Sequence, residues 1–212
     1  MSGPAPGRFI TLEGGEGAGK STQIAWLRTH LEARSRTVVT TREPGGSAGA
    51  EMIRKLLVEG PPERWDGPTE ALLHFAARRE HLRTTVWPAL DRGAWVICDR
   101  FADSTRAYQG YGHGIELAML EQLYSVAVGD FRPDLTIILD LPVEVGLARA
   151  AARRGTETRY ESLPREFHER VRAGFLAIAK REPKRCIVVD ASRDIEKIAT
   201  EIALATDKRL KS

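Results

Sequence analysis

The chain has 212 residues, 42% of them hydrophobic, enough to bury one core and short of what two ordinary domains need. Its net charge of +3 is spread over interspersed acids and bases with no basic run flanked by aromatics, which argues against a nucleic-acid surface and for small polyanions. There is no secretory signal, apolar run of spanning length, repeat or low-complexity tract, and Met1 to Gly7 reads as a small-residue and proline tail, so a cytoplasmic location and no membrane contact are expected.

Phe9 to Leu12 is a short apolar strand. It is followed by Gly14-Gly15-Glu16-Gly17-Ala18-Gly19-Lys20-Ser21, which fits G-x-x-x-x-G-K-[ST] and runs into a helical pattern over Lys20 to Arg34. In a phosphate loop of this kind the glycines let successive N–H groups converge on phosphate oxygens, and the helix adds unsatisfied donors and the positive end of its dipole. Lys20 is then expected to reach the β and γ phosphates of a nucleoside triphosphate. Ser21 offers a hydroxyl where a Mg2+ ion bridging those phosphates would sit, with Thr22 beside it.

Further β-branched runs occur at Thr37 to Thr41, Ala94 to Cys98, Leu135 to Leu139 and Cys186 to Val189. Helical spacing covers Ala48 to Val58, Thr69 to Asp91, Ile115 to Val128, Val143 to Arg153, Pro164 to Lys180 and Ile195 to Ala205. Strands alternating with helices predict an α/β fold, a five-stranded parallel sheet covered by helices in three layers, with ligands gathered beyond the carboxyl ends of the strands. Cys98 closes one apolar run and Cys186 opens another, and both read as reduced core thiols, not a disulfide or zinc site.

The residues that follow the strands carry the chemistry. Val96-Ile97-Cys98-Asp99 ends in a carboxylate, as does a strand whose Asp holds Mg2+ beside a phosphate loop; Asp140 is the second candidate. Arg42, Arg54, Arg78 and Arg100 fall on or just after segments that converge at the same edge. One such arginine is ordinarily a solvated surface residue; four beside a nucleotide site favour an acceptor that is itself a phosphate, which the planar guanidinium fork grips with paired hydrogen bonds. The polar stretch from Arg149 to Tyr160, with Arg153-Arg154-Gly155 and Arg159 between two helices, reads as a small lid over about residues 150–162 that would keep water from the transferring group.

Leu12-Glu13-Gly14-Gly15-Glu16-Gly17-Ala18-Gly19-Lys20-Ser21-Thr22, Thr41-Arg42-Glu43-Pro44-Gly45-Gly46 and Asp99-Arg100-Phe101-Ala102-Asp103-Ser104-Thr105-Arg106-Ala107-Tyr108-Gln109-Gly110 together resemble the thymidylate kinase family, from Phe9 to about Ala205. The resemblance implies a single nucleoside monophosphate kinase domain that transfers a phosphoryl group from MgATP to dTMP, and a homodimer. It implies that Arg100 and Arg42 hold the dTMP phosphate with Arg54 nearby, that Glu16 faces the 3′-hydroxyl, and that Tyr108 lies under the sugar. Thr105 and Gln109 are implied at the thymine edge, Arg78 as donor to a thymine carbonyl, and Glu43 near the site.

Where the family places an aromatic residue one helical turn before that arginine, this chain has His74, with Phe75 adjacent. Four-residue spacing aligns His74 with Arg78, and a register slip would pair Phe75 with Arg79 instead. The loop holds no arginine, so the resemblance points to lid arginines, Arg153 and Arg159, at the transferring phosphoryl, with Arg149 beside the adenine; Thr158 stands where an acidic residue commonly precedes the arginine. Two other readings compete. A GTP-dependent switch would read guanine with Asn-Lys-x-Asp, and this chain has no asparagine; the nearer rival is a kinase for dUMP or UMP, from which the pyrimidine 5-methyl group sets dTMP apart by only about 1 to 3 kcal/mol in an apolar pocket.

Overall fold

The structure, a computed structural model, describes residues 7–152 and 159–210. The apolar runs form β1 (Arg8–Gly14), β2 (Val38–Arg42), β3 (Trp95–Asp99), β4 (Leu135–Asp140) and β5 (Cys186–Asp190). They make one sheet in the order β2-β3-β1-β4-β5 with every neighbouring pair parallel. β1, β3 and β4 are buried almost throughout, as parallel strands covered on both faces must be, and the edge strands β2 and β5 are partly exposed. β1 sits in the middle with β3 on one side and β4 on the other, so the strand order switches at its carboxyl end and a crevice opens there. The register pairs Asp99 with both Leu12 and Arg42, so β1, β2 and β3 release their functional residues at one level.

The helices are α1 (Lys20–Glu32), α2 (Ala48–Val58), α3 (Gly67–His81), α4 (Trp87–Asp91), α5 (Ala102–Thr105), α6 (Leu117–Val128), α7 (Val143–Ala151), α8 (Arg165–Arg181) and α9 (Ile195–Leu210). On one face Leu27 and Leu31 of α1 and Ile198 and Ile202 of α9 pack on Ile10, Leu12 and Ile137. On the other, Phe75 of α3 and Leu120 and Tyr124 of α6 close over Phe9 and Val96. Phe167, Val171 and Phe175 of α8 pack on Ile138 and Tyr108. Cys98 and Cys186 are free and buried. Among the described residues no helix is long and apolar enough to cross a membrane.

The long helix expected over Thr69 to Asp91 is interrupted. α3 ends at His81, Leu82–Val86 forms a wider turn, and the Trp87 N–H reaches back five residues to the Leu82 carbonyl before α4 resumes. Pro88 is the physical reason: it has no N–H to give the Thr84 carbonyl, and its ring would crowd that oxygen in an unbroken α-helix. The stretch after β3, for which the spacing predicts no helix, forms α5 and a wide helical turn over Arg106–Gly112. It is buried on nearly every side, so its sequence carries no amphipathic period to read.

That stretch is pinned by Asp103. Its buried carboxylate accepts from Arg106 Nη1 at 3.1 Å and from Arg185 Nη1 at 2.6 Å, tying α5 to the start of β5. Removing the buried carboxylate takes a counter-ion from both arginines at once and leaves them only the more exposed Glu121 and Glu182. Asp103→Ala should therefore lower the unfolding free energy by about 3 to 5 kcal/mol, read by urea denaturation, whereas a loss below about 1 kcal/mol would show that the pair does not hold the segment.

Candidate active site

The phosphate loop turns between β1 and α1. Gly17 has a φ of 68°, and a Cβ there would lie 2.1 Å from the Gly146 carbonyl oxygen of α7, so the loop's path requires glycine twice over. Lys20 opens α1 and donates from Nζ to the carbonyls of Gly14 at 3.1 Å and Gly15 at 3.0 Å. Burial, reinforced by the neighbouring Arg100 guanidinium, brings the Lys20 ammonium down to about 8. Gly17, Ala18, Gly19 and Lys20 face the main cavity, whereas Gly14 and Gly15 border a small space behind the loop near His168, and Thr22 is exposed.

Asp99 at the end of β3 and Ser21 at the start of α1 meet across the same cavity, with the Ser21 hydroxyl 3.4 Å from Asp99 Oδ2. Asp99 Oδ1 is buried with no hydrogen-bond partner among the described residues. A hydroxyl and an unpaired carboxylate oxygen are hard donors suited to Mg2+, and no group of three or more His, Cys, Asp or Glu among the described residues could hold an ion alone. The pair therefore fits an ion held chiefly by phosphate and water. Asp140, the second candidate, is instead taken up by Arg172, which donates to both its oxygens at 2.7 and 2.9 Å.

Beyond the loop the cavity, about 600 Å³, continues to an arginine-lined wall. Arg100 leaves β3 with a φ of 69°, a left-handed backbone that is costly for a residue with a Cβ and is tolerated where its surroundings fix it. Its Nη1 donates to the Gly14 carbonyl and Ser104 Oγ, each at 3.0 Å, and its Nη2 to Glu16 Oε1 at 3.1 Å and the Tyr108 hydroxyl at 3.0 Å. Tyr108 also donates to Glu16 Oε1 at 2.7 Å. Burial alone would push the Glu16 carboxyl up, but Arg100, Lys20 and the Tyr108 hydroxyl hold it below the ordinary carboxylate value. Arg42 pairs with Glu51 at 3.1 Å, and Arg54 donates to the Pro44 carbonyl at 2.6 Å; both border the cavity.

The deep end is built from α3 and the segment after β3. Arg78 is buried and donates from Nε to Glu43 at 2.7 Å and from Nη2 to Thr105 Oγ1 at 3.1 Å; its Nη1 has no partner among the described residues. Glu43 also bonds His81 Nδ1 at 2.9 Å, and burial, which opposes ionisation, is overcome by Arg78 and His81 so that its carboxyl stays below the usual range. His74 borders the cavity beside Arg78, with its Nε2 3.1 Å from the Tyr160 hydroxyl. Phe75 lies in the core against Tyr124, with ring centroids 6.4 Å apart, and is not part of the cavity wall.

Arg153 lies outside the described residues. Arg159 is buried and does not border the cavity: its side chain donates to the Leu57 and Pro61 carbonyls and forms an ion pair with Glu70. Tyr160 and Glu161, next to it, do border the cavity. Arg149 on α7 donates to the Ala191 carbonyl at 3.4 Å, beside the loop after β5. Sequence reasoning passed over Glu70, His81, Ser104, Tyr160 and the carboxyl of Glu13, which accepts from Ser104 at 2.6 Å and from the Phe101 N–H at 2.8 Å and which burial pushes up to about 7. The available signal was spacing: Glu70, His74 and Arg78 repeat every four residues, placing polar groups on one face of an otherwise core-facing helix.

A phosphate loop and an arginine wall facing each other across one cavity, on a parallel sheet of this order, define an α/β phosphate-loop kinase. A family model described as thymidylate kinase matches residues 12–202. The chain is similar to thymidylate kinase of Caulobacter vibrioides, 53% identical over 204 residues that cover 96% of this chain and 98% of the relative. It is also similar to thymidylate kinase of Rhodopseudomonas palustris, 56% identical over 208 residues, with coverages of 96% and 90%. A crystal structure of thymidylate kinase from Ehrlichia chaffeensis superposes with a TM-score of 0.76 at 37% identity, covering 94% of this chain and 99% of that one. The chain belongs to the thymidylate kinase family, and its reaction is the ATP-dependent phosphorylation of dTMP to dTDP.

The depressed Lys20 value has a measurable consequence. If the Lys20 ammonium holds the triphosphate, affinity for ATP should be flat below pH 8 and weaken above it, by up to about tenfold per pH unit, with proton uptake on binding at pH 9. Calorimetric titrations at several pH values in buffers of different ionisation enthalpy read both effects. Affinity that does not change between pH 7 and 9.5 would mean that Lys20 is not titrating at the phosphate site.

Proposed function

We propose that the cavity binds ATP at the loop and dTMP at the arginine wall, and that direct in-line transfer occurs between them. The observation that carries this reading is that Lys20 and Ser21 share one cavity with Arg100, Arg78 and Gln109. Arg100, Arg42 and Arg54 hold the acceptor phosphate, Glu16 accepts from the 3′-hydroxyl, and Tyr108 lies under the sugar. Thr105, Gln109 and Arg78 read the base edge while His74 stacks on it, Phe75 being committed to the core. Glu43 acts on the base through Arg78, whose Nε it holds.

A dTMP phosphate oxygen is already anionic near neutral pH, so no general base is needed and the residues work by positioning and charge compensation. Lys20 and the N–H groups of Gly15 to Gly19 offset charge on the donor phosphates, and Arg100 steadies the acceptor. Ser21 and Asp99 would hold Mg2+, which supplies further neutralisation of the phosphates when bound. Arg153 is the arginine for the transferring group and Arg149 lies at the adenine. Arg159, committed to Glu70 and two carbonyls, contributes by anchoring the lid.

The whole chain acts as one kinase domain, with the phosphate loop at 14–22 and the lid at about 150–162, in the cytoplasm and without nucleic acid as partner. It works as a homodimer. Exposed apolar side chains support this: Met52 and Leu56 on α2, Leu72 on α3 and Val126 on α6, helices that pack side by side.

ADP release coupled to a reporter, with MgATP and each of dTMP, dUMP, UMP, dCMP and dGMP, tests the assignment. Rapid release should occur with dTMP and not with dCMP or dGMP, vanish in Lys20→Ala, and fall about 100-fold or more in kcat for Arg100→Ala, the scale on which loss of one preorganised charge contact is felt. An Arg100→Ala enzyme with unchanged kcat and KM for dTMP would remove Arg100 from the acceptor site.

A further inference from the structure

Glu70 sits on α3 at the centre of a buried polar cluster that joins the proposed base pocket to the segment after residue 158. Its Oε1 accepts from Gln109 Nε2 at 2.7 Å and from the Tyr160 hydroxyl at 2.9 Å, and its Oε2 lies 2.5 Å from Arg159 Nη2. An ionised carboxylate can only accept. Burial opposes ionisation here, but the Arg159 cation and the hydrogen bonds from Arg159 and Gln109 keep the Glu70 carboxyl below its ordinary value. Proton directions throughout the cluster follow. Gln109 must present its NH2 to Glu70, leaving Oε1 buried and without a partner among the described residues. Tyr160 must spend its proton on Glu70, so its oxygen accepts from His74 Nε2–H, and His74, which burial lowers to about 4, is neutral with Nδ1 as its free acceptor.

We propose that Glu70 is the positioning residue that sets base specificity: its acceptor-only carboxylate locks the Gln109 amide with Oε1 toward the base. The same cavity is lined by Arg78, whose Nη1 donor also has no partner among the described residues, Glu43 and Thr105 taking its other guanidinium nitrogens. An acceptor and a donor lining one pocket complement the adjacent N3–H and C4=O of thymine or uracil. Cytosine presents the reverse pair, a bare N3 and an amino group, and would leave both protein groups facing their own kind. Discrimination of this sort is steep, because a mismatched base leaves desolvated polar groups unpaired. The 5-methyl group plays no part in it, so the same device admits dUMP.

The inference rests on placing Gln109 at the base edge, and two variants separate the two claims. A glutamine at position 70 can donate as well as accept, which frees the Gln109 amide to turn over. In Glu70→Gln the ratio of kcat/KM for dTMP over dCMP, expected on the order of 10⁴ for the native enzyme, should fall by about 100-fold. Glu70→Asp, which keeps the acceptor-only chemistry, should hold the ratio within about tenfold even if turnover drops. If Glu70→Gln fails to fold because Arg159 loses the Glu70 carboxylate, Glu70→Gln combined with Arg159→Gln removes that charge and carries the same expectation. A folded Glu70→Gln enzyme with the native ratio, while Gln109→Met loses it, would overturn the role of Glu70 and leave Gln109 at the base. A native ratio in Gln109→Met would overturn both.

Discussion

Arg100 is built into the phosphate loop as firmly as into its own strand: one guanidinium nitrogen bonds the Gly14 carbonyl and the other bonds Glu16 and Tyr108. A cation in that position makes the phosphate loop and the arginine wall parts of one rigid object. It also lets Glu16 remain ionised in a buried site and helps to depress Lys20, so the ionisation of the loop depends on where this arginine is held. The left-handed backbone at Arg100 is the conformational cost of aiming the side chain back over β1, and the Arg100 N–H bond to the Leu12 carbonyl, at 2.9 Å, holds the turn against it.

The same device recurs around the cavity, where buried or half-buried carboxylates orient the groups that line it. Glu16 takes Arg100 and Tyr108, Glu43 takes Arg78 and His81, and Glu70 takes Gln109, Tyr160 and Arg159. Each carboxylate accepts only, so each fixes which way its neighbours' protons point. Burying such groups contributes little net stability, and leaving one unpaired is expensive. The gain is preorganisation: donors and acceptors stand fixed in the cavity wall before any ligand arrives, so less reorganisation accompanies binding there.

Much of this was legible in the sequence because it obeys short-range rules. The strand-loop-helix around Lys20, the carboxylate ending β3 and the alternation of apolar runs each follow from local spacing, and the strands sit within one or two residues of where their β-branched runs predict them. What the sequence could not display was convergence across distance. Glu70 and Tyr160 are 90 positions apart, and only the folded chain brings the hydroxyl 2.9 Å from the carboxylate. Arg159 looked like one more lid cation because charge pattern alone says nothing about which acceptor claims it; in the structure two backbone carbonyls and Glu70 claim it. The choice between His74 and Phe75 was open for a similar reason. Both are adjacent on one helix, and it is the pocket formed by Phe101, Tyr124 and Leu120 that draws Phe75 inward and leaves His74 at the cavity.

The central claim is that one cavity holds donor and acceptor together for direct transfer. Calorimetric titration with a bisubstrate analogue, adenosine and thymidine joined through a chain of five phosphates, tests it most directly. The account predicts one analogue per chain, bound far more tightly than either nucleotide and displaced by ATP and by dTMP separately. An analogue that binds no better than ATP, and that dTMP does not displace, would place the acceptor outside this cavity and contradict the account.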